Sequence, residues 1–162
     1  MRKVIIDTDI GSDIDDAICL AYLLAEPQCE LLGITTVQGY VHERAKLASA
    51  LVYQSGKDIP VFEGTSRPML GKGLPMEVPQ AKALDKWFHY KEFKRDWLEF
   101  MRDTIRSNPN EITLLAIGPM TNIGILFAYD PELPSLLKEL VLMCGAFYGD
   151  FQRHKRPEWN AK

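Results

Sequence analysis

Five carboxylates crowd the stretch IIDTDIGSDIDDA (residues 5–17): Asp7, Asp9, Asp13, Asp15 and Asp16. Like charges this close together cost free energy unless a cation binds among them or water screens them. Hard oxygen ligands of this kind suit Ca²⁺ or Mg²⁺. The spacing is not that of an EF-hand loop, because Gly11 is misplaced and no glutamate closes the loop. Asp7 and Asp9 are two apart and share a face if a strand continues through them. Gly11 permits a sharp turn, and Ser12 or Asp13 is placed to cap the helix that follows. Asp15 and Asp16 then fall in that helix's first turn, where the positive end of the helix dipole favours acidic side chains. The dipole accounts for one or two of the carboxylates. Five point to a metal site.

The elements that must hold this loop alternate between strand and helix. KVIID (3–7) is a short β-branched run with the look of a buried strand. IDDAICLAYLLAEP follows, with Ile14, Ala17, Ile18, Ala21, Tyr22 and Leu24 at helical spacing and Pro27 as its stop. Further strands are expected at 29–37, 59–64, 111–118 and 137–145, and further helices at 42–56, 90–109 and 120–131. Gly56 is suited to a left-handed helix cap. Residues 65–84 carry Pro68, Pro75, Pro79, Gly71 and Gly73 without an amphipathic period, and read as a long loop. The tail after 145 has no clear period.

This alternation implies an α/β, Rossmann-like fold, a mostly parallel sheet with helices on both faces. Such sheets bind ligands at the carboxyl ends of their strands. Segments 8–16, 36–40, 117–122 and 144–160 are expected on that edge, so the acidic loop lies where chemistry is expected.

The remaining properties narrow the class. A chain of 162 residues is enough for a single α/β domain spanning 1–162. A formal net charge of −3 gives no reason to expect a nucleic-acid or membrane partner. No apolar run approaches the roughly 20 residues of a membrane helix, and MRKVIIDTD is not a signal peptide. Cys19, Cys29 and Cys144 have no CxxC spacing, which favours a reducing, cytoplasmic setting over a disulfide framework. His42, His89 and His154 fit no metal-ligand spacing.

DTDIGSDIDDA resembles the N-terminal signature of the inosine–uridine preferring nucleoside hydrolases, DxDPGxDDA. ELLGITTVQG, PVFEGTSRPM, ITLLAIGPMTNIGILFAYDPEL, KELVLMCGAF and PEWN continue the resemblance in order. The resemblance implies the nucleoside hydrolase fold and Ca²⁺-dependent hydrolysis of the N-glycosidic bond of a small ribonucleoside. The water involved is activated by the metal, and the transition state is oxocarbenium-like. Carried over, Asp9 matches the metal ligand that is also the general base, and Asp16 matches a second ligand. Asp15 matches the acceptor from the ribose 2′-OH, and the Ile117 carbonyl matches a further ligand. Glu158 and Asn160 match residues that hold ribose hydroxyls. Asn122 is expected to brace its loop rather than touch substrate.

The chain also departs from the pattern. Its loop is two residues longer than the signature, so Asp13 is an additional carboxylate and Asp13 or Asp15 is an alternative ligand. Tyr40 stands where the family commonly has an asparagine, and no base-binding segment is recognisable between 70 and 90. Family enzymes continue well beyond the equivalent of EWNAK with a further aspartate ligand. The chain is therefore expected to be the N-terminal portion of a longer domain. That predicts uncovered apolar sheet surface, met by a missing C-terminal segment or a homo-oligomer. Two rivals share the acidic motif: a Mg²⁺-dependent haloacid-dehalogenase-like phosphatase, whose loop reads DxDx[TV], and a non-catalytic binding module that kept the fold.

Overall fold

The computed structural model describes residues 1–73, 77–145 and 158–161. Its centre is β1 (Arg2–Thr8), buried at every residue from Val4 onward. β1 pairs in parallel with β2 (Cys29–Thr36) on one side and β4 (Ile112–Ala116) on the other. β3 (Val61–Glu63) extends the sheet beyond β2, and β5 (Glu139–Leu142) extends it beyond β4. The strand order is β3-β2-β1-β4-β5 with every pair parallel. Chain direction across the sheet therefore reverses between β1 and β4. In open α/β sheets, the crevice at the carboxyl ends of such a strand pair is where ligands bind.

Alternation along β1 separates two cores. Val4 and Ile6 face α1 (Asp15–Ala25) and α2 (Val41–Gln54), packing with Leu20, Leu23, Ala45, Ala48 and Val52. Ile5 faces α3 (Trp97–Ser107), α4 (Thr121–Tyr129) and α5 (Leu133–Leu136), with Met101, Ile105, Ile123 and Leu126. Helices thus cover both faces, as strand–helix alternation requires. α2 ends as expected: the Gly56 amide bonds to the Tyr53 carbonyl (3.1 Å) with Gly56 at φ +70°.

Four expectations need correction. Residues 90–96 are not helical. Lys94 instead bridges to Phe62, its carbonyl accepts from the Glu63 amide (2.9 Å), and Arg95 pairs with Glu63 (3.1 Å). The exposed edge of β3 offers unpaired backbone groups, and bonding to them outweighs the helical periodicity of that segment. Within the expected loop, Pro79–Lys86 forms a 3₁₀ turn that buries Leu84. The stripe Ile14, Ile18 and Tyr22 is exposed, while Asp16, Leu20, Leu23 and Leu24 form the buried side of α1. α1 is apolar nearly all round, so periodicity alone could not choose its inward face. Lastly, the residue before α1 is Ile14, with no side-chain cap. Ser12 and Asp13 do not cap it; the Ser12 hydroxyl donates to the Glu77 carbonyl (3.5 Å) and accepts from Arg44 Nη1 (3.2 Å) instead.

β5 is an edge strand exposed along its length; Leu140, Val141, Leu142 and Met143 are 37–44 % exposed. This is the uncovered apolar surface expected above. Among the described residues no helix is long and apolar enough to cross a membrane. The expected carboxyl-edge residues 146–157 lie outside the described residues.

Candidate active site

β1 stops at Thr8, and the next residue, Asp9, opens into a cleft at the carboxyl ends of β1 and β4. The cleft encloses about 350 Å³, and Asp9, Asp13, Asp15, Asp16, Ile117, Glu158 and Asn160 all line it. Of the five clustered carboxylates, all but Asp7 therefore line the same cleft as Ile117, Glu158 and Asn160. Among the described residues, no three His, Cys, Asp or Glu side chains are gathered closely enough to hold a metal ion by themselves. Any cation shell here needs oxygens beyond these carboxylates.

Asp7 and Asp9, adjacent in the alternation, occupy different environments. Asp7 is sealed beneath the cleft: Thr35 Oγ1 donates to its Oδ1, Asn122 Nδ2 donates to the same oxygen (2.7 Å), and Oδ2 is buried without a partner among the described residues. Burial pushes its carboxyl up to about 7, against those two hydrogen bonds; the charges of Asp9 and Asp16 push the same way as burial. Asp9 rises to about 6, mainly by burial and then by the charge of Asp16, with Arg44 opposing. Asp16 is also raised, by burial first, while the Thr8 hydroxyl bonded to its Oδ1 and the nearby Arg44 oppose. Carboxyls raised by burial and by neighbouring acidic charge cluster at functional sites, and a bound cation would relieve them.

The loop's shape is set by its neighbours. Gly11 sits at φ +115°, and a Cβ there would lie 2.4 Å from Val78 Cγ1, so the turn needs glycine on two counts. The Gln80 amide bonds to the Gly11 carbonyl (3.2 Å) and its side chain to the Asp13 carbonyl (2.7 Å), so the 3₁₀ turn pins the loop. Gly118 lets β4's exit pass beneath Asp9: a Cβ there would lie 2.6 Å from Val37 Cγ1 and 2.8 Å from the Asp9 nitrogen. Gly118→Ala is expected to lose about 1–3 kcal/mol through overpacking. Its melting midpoint should fall by roughly 5 °C; an unchanged midpoint would show that the loop absorbs the methyl.

Asn122 braces the floor as expected. Its amide nitrogen also bonds to the Thr36 carbonyl (3.1 Å), and its oxygen accepts from the Thr65 amide (2.9 Å). Asn160 ties the exits of β4 and β5 together, donating to the Ile117 and Met143 carbonyls (2.9 Å each). The Ile117 carbonyl thus already accepts one hydrogen bond and keeps one lone pair for a ligand. The Gly145 amide reaches Glu158 Oε2 at 3.4 Å.

Residues 4–162 match the profile described as inosine-uridine preferring nucleoside hydrolase. The chain belongs to that family. It is 32 % identical over 157 residues to uridine nucleosidase 1 of Arabidopsis thaliana, covering 91 % of this chain and 46 % of that one. It is 33 % identical over 150 residues to the non-specific ribonucleoside hydrolase RihC of Salmonella paratyphi A, covering 88 % and 49 %. Among solved structures it superposes on the plant nucleoside hydrolase PpNRh1 with a TM-score of 0.78 at 26 % identity, covering 90 % and 48 %. The chain spans about half the length of the relatives it matches. The family match runs through the acidic loop and leaves the phosphatase reading without support.

Within this member of the family, one buried group escaped the sequence reading: Arg44, fully buried in the first half of α2. A signal for it was present. Arg44, Ala48 and Val52 recur every fourth residue, so an arginine stands on the buried stripe of the helix.

Proposed function

We propose that this chain supplies the metal and sugar half of a Ca²⁺-dependent hydrolase that cleaves the N-glycosidic bond of ribonucleosides. The observation that carries the reading is the convergence of Asp9, Asp15, Asp16, the Ile117 carbonyl, Glu158 and Asn160 on one cleft at the switch point of the sheet. The donor set fits a hard cation. Asp9 and Asp16 offer carboxylate oxygens whose ionisation burial and neighbouring acidic charges oppose, and the Ile117 carbonyl adds a neutral oxygen. Asp15 or Asp13 is the alternative carboxylate ligand. Ca²⁺ takes about six to eight oxygens, so sugar hydroxyls, water or residues of a longer chain fill the rest. When bound, the cation lowers the pKa of an attacking water and orients it.

The remaining chemistry belongs to the chain. Asp9 takes a proton from the water; the water oxygen bonds to the anomeric carbon, and the bond to the base nitrogen breaks with its electron pair leaving on the base. Asp15 accepts from the 2′-OH, while Glu158 and Asn160 hold neighbouring hydroxyls. Asn122 and Asp7 form the floor and do not touch sugar. A cytoplasmic location, and a covering segment or second copy over the β5 edge, belong to the same reading. The test is a screen of purine, pyrimidine and modified nucleosides with the full reading frame, measuring free ribose. Ribose release that stops on chelation and returns with Ca²⁺ is expected. Release of phosphate from phosphoesters with Mg²⁺, and no ribose, would overturn it.

A further inference from the structure

Arg44 is a buried cation with no carboxylate salt-bridge partner among the described residues. Its Nε donates to the Gln38 carbonyl (2.8 Å). Its Nη1 donates to the Asp9 carbonyl, the Ile10 carbonyl (3.0 Å) and Ser12 Oγ (3.2 Å). Its Nη2 is buried with no hydrogen-bond partner among the described residues. Charged side chains are almost never fully buried unless paired, and here the pairing is with main-chain oxygens of two strand exits. Gln38 follows β2 and is held at φ +71°, a left-handed conformation uncommon outside glycine. Asp9, Ile10 and Ser12 follow β1. One planar guanidinium therefore ties the strained exit of β2 to the acidic loop over β1.

We propose that Arg44 is the positioning residue of this site, clamping Asp9, Ile10 and Ser12 so that the Asp9 carboxylate faces the cleft. The assignment of Asp9 to a metal rests on the function proposed above; the clamp itself does not. Lysine keeps the charge but offers a single nitrogen, which cannot span Gln38, Ile10 and Ser12 together. Glutamine keeps a donor and loses the charge.

The experiment compares Arg44→Lys and Arg44→Gln with the unaltered chain, first without metal, by amide hydrogen exchange. The Ile10 amide, bonded to Thr8 Oγ1 (3.1 Å), reports on the loop, and the Ile5 and Leu114 amides report on the core. Both variants are expected to speed exchange at Ile10 on the order of tenfold while the core amides hold. Unchanged protection at Ile10 would overturn the clamp, as would equal loss at Ile10 and the core, which would mark Arg44 as a general packing residue. Calorimetric titration with Ca²⁺ alone is the second readout: both variants should bind on the order of tenfold more weakly. Tighter binding by Arg44→Gln would mean that the arginine acts as a repelling charge, and would overturn positioning. If the full reading frame binds no Ca²⁺, the metal reading fails, while the exchange data still decide the clamp.

Discussion

Asp9→Asn in the full reading frame is expected to lower kcat/KM for ribose release on the order of 10³-fold or more. Two losses combine. A positioned general base contributes about 10²–10⁴-fold, and an amide also withdraws a hard, charged ligand from the cation shell. The substitution preserves size, so the cleft should keep its shape. It also carries an internal control against unfolding. Asp9 is held up to about 6, chiefly by burial and the neighbouring Asp16 charge. Asparagine mimics the neutral form, so at pH 8 the metal-free variant should be more stable than the parent by roughly 1–3 kcal/mol. Activity falls while stability rises. Asp13→Asn is the comparison: Asp13 is exposed and its main chain is anchored by Gln80, so its loss should be far smaller. An equal loss at Asp13 would move the ligand to the lengthened part of the loop and would sink the assignment of Asp9.

The sequence carried the acidic loop, the parallel sheet and the carboxyl-edge location because each rests on local pattern. β-branched runs make buried strands, and alternation with helices makes them parallel. Asp15 and Asp16 fall in the first turn of α1 as the dipole argument places them. What it could not carry depended on partners distant in the chain. The helical period of 90–109 is genuine from Trp97 onward, yet residues 90–96 answer to the open edge of β3 instead. The inward face of α1 was illegible because apolar residues surround it; Asp16, held by Thr8 from the end of β1, shares that inward face. Arg44 was legible only as an oddity on an apolar stripe, since its partners Gln38, Asp9 and Ile10 belong to other strand exits. The different fates of Asp7 and Asp9 were also hidden. Two-residue spacing predicts a shared face, but β1 ends between them.

That separation sets the second large effect, on stability. With chelator present, the chain is expected to be more stable near pH 5 than near pH 8. The folded Asp7 carboxyl is raised from 3.8 to about 7 by burial. Between those values the folded state binds more protons than the unfolded state, so stability falls as pH rises through the window and levels off above it. Asp9, raised to about 6, adds in the same direction. Asp7→Asn should flatten most of this slope, which thermal midpoints at pH 5, 6, 7 and 8 would measure. Asn122→Ala should do the reverse. It removes a donor to Asp7 Oδ1 and to the Thr36 carbonyl, and the acceptor of the Thr65 amide, all at a fully buried position. Leaving buried partners unpaired costs about 1–3 kcal/mol each, so a loss of roughly 3–5 kcal/mol is expected. The loss should be larger at pH 8, where an ionised Asp7 keeps, among the described residues, only the Thr35 hydroxyl as a hydrogen-bond donor. A midpoint level from pH 5 to 8 in the parent, with an equal loss for Asn122→Ala at both ends, would mean that Asp7 stays ionised on the floor of the site, and would remove the basis of this prediction.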